Sequence, residues 1–135
     1  AEKTKLNICH WFTVDDLAHL KRGGRISAAT ALVGAVLNIK PILRVDDGGF
    51  LVSAGKVRGR RESINNLAER VQSAITDTNR IFISHGDCAE DAEALAAILR
   101  KNLNIKDIVI NMIGPVIGLH SGPGTLAVFS VGRAR

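Results

Sequence analysis

Two glycine-rich stretches, far apart in the chain, carry the side chains best suited to hold an anion. In Leu20-Lys-Arg-Gly-Gly-Arg-Ile-Ser27, the glycines let the backbone turn sharply and leave Arg25 and the Ser27 hydroxyl at the start of an apolar run. A helix beginning there offers unpaired N–H groups beside a guanidinium fork, which suits a carboxylate or a phosphate. A plainer reading, a Gly-ended helix followed by a Ser N-cap, accounts for both glycines and Ser27 but gives Arg25 no task. In Gly114-Pro-Val-Ile-Gly-Leu-His-Ser-Gly-Pro-Gly124, four glycines and two prolines in eleven residues predict a rigid loop that presents His120 and Ser121. A lone histidine is usually structural, but one set in such a loop at a strand mouth reads as a ligand contact. A third stretch, Lys56-Val-Arg-Gly-Arg-Arg61, puts four cations in six residues just before a helix. It could grip nucleic-acid phosphates or an acidic protein. Its lack of aromatic platforms favours the acidic protein.

Other patterns fail on spacing. Gly55-Lys56 has no glycine five residues earlier and is followed by Val57, so it is not a P-loop, and no GxGxxG is present. His85 and Asp87 have no companion at metal-ligand spacing and read as a strand-end His beside a helix N-cap. Ser121 and His120 lack an acid at a triad-like spacing.

The composition sets the frame for these stretches. With 135 residues, 46% hydrophobic, the chain is one packed domain. No apolar run approaches the ~18 residues of a membrane-spanning helix, so no stable membrane insertion is expected. Cys9 and Cys88 form no CxxC pair and read as reduced thiols of a cytoplasmic protein. The start, Ala1-Glu-Lys-Thr-Lys-Leu, has neither an apolar signal nor an initiator Met, which reads as a piece of a longer chain. The net charge is +5, and residues 21–61 hold nine of the eighteen basic residues against Asp46 and Asp47 alone. That segment supplies the whole excess, as expected of a surface that meets something anionic.

The elements that would position these residues follow from periodicity. Lys5 to Phe12 alternates as a strand, and Thr13 is placed to cap a short helix running through Lys21 to Gly23-Gly24. Ser27 caps an apolar helix, Ala28 to Leu37, which Lys40-Pro41 ends. Pro41–Val45 and Phe50–Ser53 form a hairpin around Asp46-Asp47-Gly48-Gly49. A helix from Arg61 or Glu62 carries Ile64, Leu67, Ala68, Val71 and Ile75 on one face. Arg80–Ser84 is a strand, and Asp87 with Glu90 opens a helix whose core face is Leu95, Ile98, Leu99 and Leu103. Strands at Asp107–Ile113 and Thr125–Val131 flank the Gly114–Gly124 loop. About six strands and four helices, with hairpins mixed among crossovers, predict a two-layer α/β sandwich: a mixed sheet covered by helices.

Taken together and in order, Asp16-Leu17, Leu20 to Ser27, Leu37-Asn-Ile-Lys-Pro-Ile42, Lys56-Val-Arg-Gly and Gly114 to Thr125 resemble the C-terminal domain of the DegV family. These are bacterial fatty-acid-binding proteins, and some present the lipid to a fatty acid kinase. The resemblance covers nearly the whole chain, and residues 1–135 read as one such C-terminal domain. It implies a further N-terminal domain in the parent protein, with the lipid held between and within the two. It places Arg25 and His120, with Ser121 where many members have Thr, around the fatty-acid carboxylate. Ile26, Leu32 and Val33 would enclose the tail, and Arg58 and Arg60 would face the kinase. The implied protein is a carrier rather than an enzyme, with fatty acid as ligand and neither cofactor nor metal. Two rivals remain: a phosphoryl-transfer enzyme akin to dihydroxyacetone kinases, for which no Mg²⁺-binding carboxylate pair or nucleotide loop is visible, and a nucleic-acid-binding module built on residues 56–61.

Overall fold

The computed structural model describes residues 2–25 and 38–133. The expected apolar helix, its Ser27 cap and the tail residues Ile26, Leu32 and Val33 lie outside these described residues.

Strict alternation along β1 (Ile8–Thr13) buries Cys9, Trp11 and Thr13 on one side of the sheet and turns His10 and Phe12 to the other. β1 is followed by α1 (Leu17–Arg22), then by a hairpin of β2 (Ile39–Val45) and β3 (Leu51–Arg58). The chain continues through α2 (Arg60–Ala74), β4 (Ile75–His85), α3 (Ala89–Asn102), β5 (Asp107–Met112), α4 (Pro115–Ser121) and β6 (Leu126–Gly132). The six strands make one open sheet in the order β3-β2-β1-β6-β4-β5. β4 and β5 pair in parallel, and every other pairing is antiparallel. The mixed α/β sandwich expected from the sequence is the one observed.

The main core lies between one face of the sheet and α2 with α3. Ile64, Leu67, Ala68 and Val71 of α2 and Ala92, Leu95, Ala96 and Leu99 of α3 pack on Cys9, Trp11, Ile42, Ile81, Ile83, Leu126 and Val128. The apolar spacing in both helices is that of a single stripe, which these strands cover. On the other face α1 closes a smaller cluster of Val14, Leu20 and Leu43, edged by Phe12, Leu17 and Leu51. Beyond it, no helix among the described residues covers the β6-β4-β5 side of that face. Phe129 pairs with His10 on one side and Phe82 on the other, and the His10 and Phe129 rings meet edge to face at 5.2 Å.

Several local expectations need correction. The cap of α1 is Asp16, whose side chain accepts from Ala18 N at 2.8 Å, because Thr13 is consumed as the last residue of β1. Lys40 and Pro41 lie within β2, which starts at Ile39 rather than Pro41. Asp87 does not cap α3: its φ of +53° puts it in a left-handed turn, and Cys88 takes the cap position. Residues 114–124 are not wholly loop. Pro115 opens α4 from within its first turn, where a missing N–H costs nothing.

Candidate functional site

The pairing of β1 with β6 brings the two glycine-rich stretches together. Thr13 lies opposite Leu126, so α1, which follows β1, and α4, which precedes β6, emerge side by side at one end of the sheet. Each helix ends in a glycine against which the other's histidine packs. A Cβ on Gly23 would come within 2.8 Å of His120 Nδ1 and 3.2 Å of its Cα. A Cβ on Gly122, whose φ is +83°, would come within 2.8 Å of the His19 ring. Real Cβ atoms do not approach so closely, so both contacts depend on glycine.

This reciprocal packing sets Arg25 against His120, residues 95 apart in sequence. Arg25 Nη1 lies 3.2 Å from His120 Nδ1 and donates at 2.7 Å to the Gly23 carbonyl. A guanidinium has only donors, so Nδ1 accepts and the imidazole proton sits on Nε2. The pair thus keeps an imidazole N–H and the remaining guanidinium N–H groups for a ligand. Ser121 stands in the same wall but is buried, and its hydroxyl donates to Ile117 O at 2.9 Å. Its one proton is therefore committed unless a ligand draws it away.

Both residues line a cavity of about 340 Å³ over the sheet face that bears α1, within the range of small-molecule sites. Its floor is Phe12, Ala127 and Phe129 with His10 and Ser84, and Leu20, Leu51, Met112 and Ile117 wall it. The cavity is therefore apolar with a cationic and imidazole end, a shape for a molecule with one charged head and a hydrocarbon body. Of its wall residues Met112 and Ile117 are largely exposed, as are Val116 and Leu119 on α4. Among the described residues no cluster of His, Cys, Asp and Glu could hold a metal ion.

The basic segment is not one surface. Arg58 is exposed at the end of edge strand β3, whereas Arg60 turns inward. Arg60 Nε donates to Asp91 Oδ2 at 2.8 Å and Nη2 lies 3.4 Å from Cys88 Sγ, tying α2 to the start of α3. Arg60, expected to face a partner, is instead mostly covered, because the helix begins at Arg60 itself, which aims its side chain at α3. Burial pushes the Cys88 thiol above its ordinary value, against the lowering pull of Arg60, and the thiol donates to Thr125 O at 3.3 Å. Such a protonated, engaged thiol is a structural group. Arg58→Glu should shift stability by less than ~0.5 kcal/mol. Arg60→Glu faces Asp91 with a like charge in a partly buried pair and should cost ~2 kcal/mol, read as urea midpoints for the two variants.

Sequence reasoning passed over His19. Its Nε2 lies 3.0 Å from Leu119 O, so it joins α1 to the residue just before His120. The signal was present: Pro123, four residues beyond Leu119, has no N–H to give that carbonyl.

The model of the DegV family, whose members it describes as uncharacterised proteins, matches residues 1–133. The chain belongs to the DegV family. A DegV domain-containing protein of Clostridium perfringens is 50% identical over 136 residues, which cover 99% of this chain and 47% of that protein. The crystal structure of a fatty acid binding DegV family protein from Streptococcus agalactiae is 33% identical with a TM-score of 0.84, covering 98% of this chain and 47% of that one. A DegV family protein from Thermus thermophilus, described for its fatty acid binding, is 30% identical with a TM-score of 0.83, covering 98% of this chain and 48% of that one. These neighbours are described as binding proteins, not as enzymes. The chain spans about half the length of the relatives it matches. No helix among the described residues is long and apolar enough to cross a membrane.

Proposed function

We propose that this chain is one half of a fatty-acid-binding carrier, in which Arg25 and His120 take the carboxylate and the apolar cavity takes the start of the tail. The observation that carries this reading is the placement of an Arg–His pair at the mouth of a cavity floored by Phe12, Ala127 and Phe129. A fatty acid divides into the same two parts. The fatty acid binding described for the Streptococcus agalactiae and Thermus thermophilus relatives supports the ligand class. Ser121 belongs to the head-group wall and would contribute by releasing Ile117 O. The unmatched half of the relatives' length would supply a second, N-terminal domain that completes the enclosure of the tail. The loaded carrier would work in the cytoplasm and present its carboxylate to a fatty acid kinase, with exposed Arg58 rather than Arg60 facing it.

Native mass spectrometry of the intact natural protein, purified from cells, tests the ligand. One long-chain fatty acid mass per protein is expected, and a phosphorylated metabolite in its place would overturn the reading. The 135 residues alone should hold the same fatty acid weakly, since only part of the enclosure is present.

A further inference from the structure

The Arg25–His120 pair joins two segments that no strand pairing connects directly, so something must hold their spacing. The two residues sit beyond or at the ends of helices of six and seven residues, each too short to be rigid alone. His19 is the side chain that spans them. Its Nε2–H donates to Leu119 O at 3.0 Å, filling a carbonyl that the helix cannot satisfy because Pro123 lacks an N–H. On its other side Nδ1 accepts from Arg22 Nη2 at 3.4 Å, and the same Nη2 lies 3.9 Å from Asp16 Oδ2. The guanidinium fixes the imidazole tautomer, since it can only donate. Asp16 also caps α1, so the line of contacts runs from the cap of one helix through the His19 ring to the last turn of the other. The ring's flat face fits because Gly122 has no Cβ.

We propose that His19 is a positioning residue, which clasps α4 to α1 and thereby sets the reach between Arg25 and His120. This rests on the head-group role given to that pair above. Leu119, which His19 holds, is bonded to His120, so a shift of the clasp moves the imidazole relative to Arg25. The contact is the counterpart of His120 on Gly23: one histidine faces the ligand site, and the other holds it in place. His19 itself is half-buried and does not line the cavity.

Two substitutions separate the roles of the ring. His19→Phe keeps the flat face on Gly122 but cannot donate, and His19→Gln retains a side-chain N–H at about the Nε2 position. In the intact natural protein, side-chain nitrogen NMR would report the tautomer of His120, and titration with oleate would report affinity. His19→Phe is expected to weaken oleate binding about tenfold, as for one lost hydrogen bond, and to move the His120 nitrogen resonances. His19→Gln should restore both. Urea midpoints should stay close across the three proteins, whereas a purely structural role would move the midpoint and leave His120 alone. Unchanged His120 resonances in His19→Phe overturn the clasp whatever ligand is bound. A wild-type protein that takes no oleate, while its His120 still answers to position 19, overturns the ligand reading and keeps the clasp. Should His19→Phe not fold, the wild-type spectrum still decides: His19 protonated on Nδ1 rather than Nε2 contradicts the proposal.

Discussion

Arg25→Glu is expected to strip the intact natural protein of its fatty acid, whereas His120→Ala should leave it loaded. The two side chains stand 3.2 Å apart at the same end of the cavity, yet they contribute differently. Burying some fourteen methylenes is worth ~11 kcal/mol before ordering costs, so the tail dominates the total. His120 offers one N–H, and a hydrogen bond to a charged group is worth ~1.5–3 kcal/mol. Its loss should weaken binding about tenfold to a hundredfold, which tight binding tolerates. Arg25→Glu removes the cation and sets a second carboxylate against the first. Arg25 is exposed, so solvent screens part of this repulsion, but lost donation and repulsion together should still exceed ~3 kcal/mol, or about two orders of magnitude. Bound fatty acid per protein, measured by mass spectrometry, and oleate affinity after delipidation would be compared for both variants. Full loading of Arg25→Glu would place the head group elsewhere.

How far the sequence announced this arrangement depends on the range of the interactions involved. The stripe Ile64, Leu67, Ala68, Val71 specified α2 and its buried face, because side chains three and four apart share a helix surface whatever lies opposite. Cap positions were less legible. Thr13 and Asp16 are both good caps, and the choice fell to Asp16 because pairing with Leu126 carries β1 through Thr13. α4 was hidden by its own composition: Pro115 and Gly118 read as loop, and exposed Val116 and Leu119 give no amphipathic stripe. The pairing of Arg60 with Asp91 was not legible because the direction of a side chain at a helix start depends on where α3 packs. The two glycine-rich stretches could be singled out by residue type, and the family resemblance joined Arg25 to His120. Their contact itself comes from a strand order that puts β1 beside β6, a long-range choice that periodicity does not encode. The glycines meant more than turns. Gly23 and Gly122 are small because a histidine from the other helix lies on each.

Ala127→Trp should reduce affinity more than any single head-group change that leaves Arg25 in place. Ala127 lies on β6 opposite Phe12 and Ser84, in the middle of the cavity floor, and belongs to the face turned away from α2 and α3. An indole raised from that position fills space above the sheet without entering the main core. The fold should therefore survive, and aromatic residues are at home in strands. The proposed tail would, however, lose the floor of its cavity. Displacing three to five methylenes forfeits ~0.8 kcal/mol each, or ~2.5–4 kcal/mol, which is about a hundredfold to a thousandfold in affinity. The head group is untouched, so the loss should depend on chain length. Palmitate and oleate should suffer fully, whereas a short acid such as octanoate, weak at the outset, should lose less. Titrating wild type and variant with the three acids, beside their urea midpoints, makes the comparison. An equal loss for all three would mean that the indole disturbs Arg25 and His120 rather than the tail. Undiminished binding of all three would show that the hydrocarbon does not run across β6.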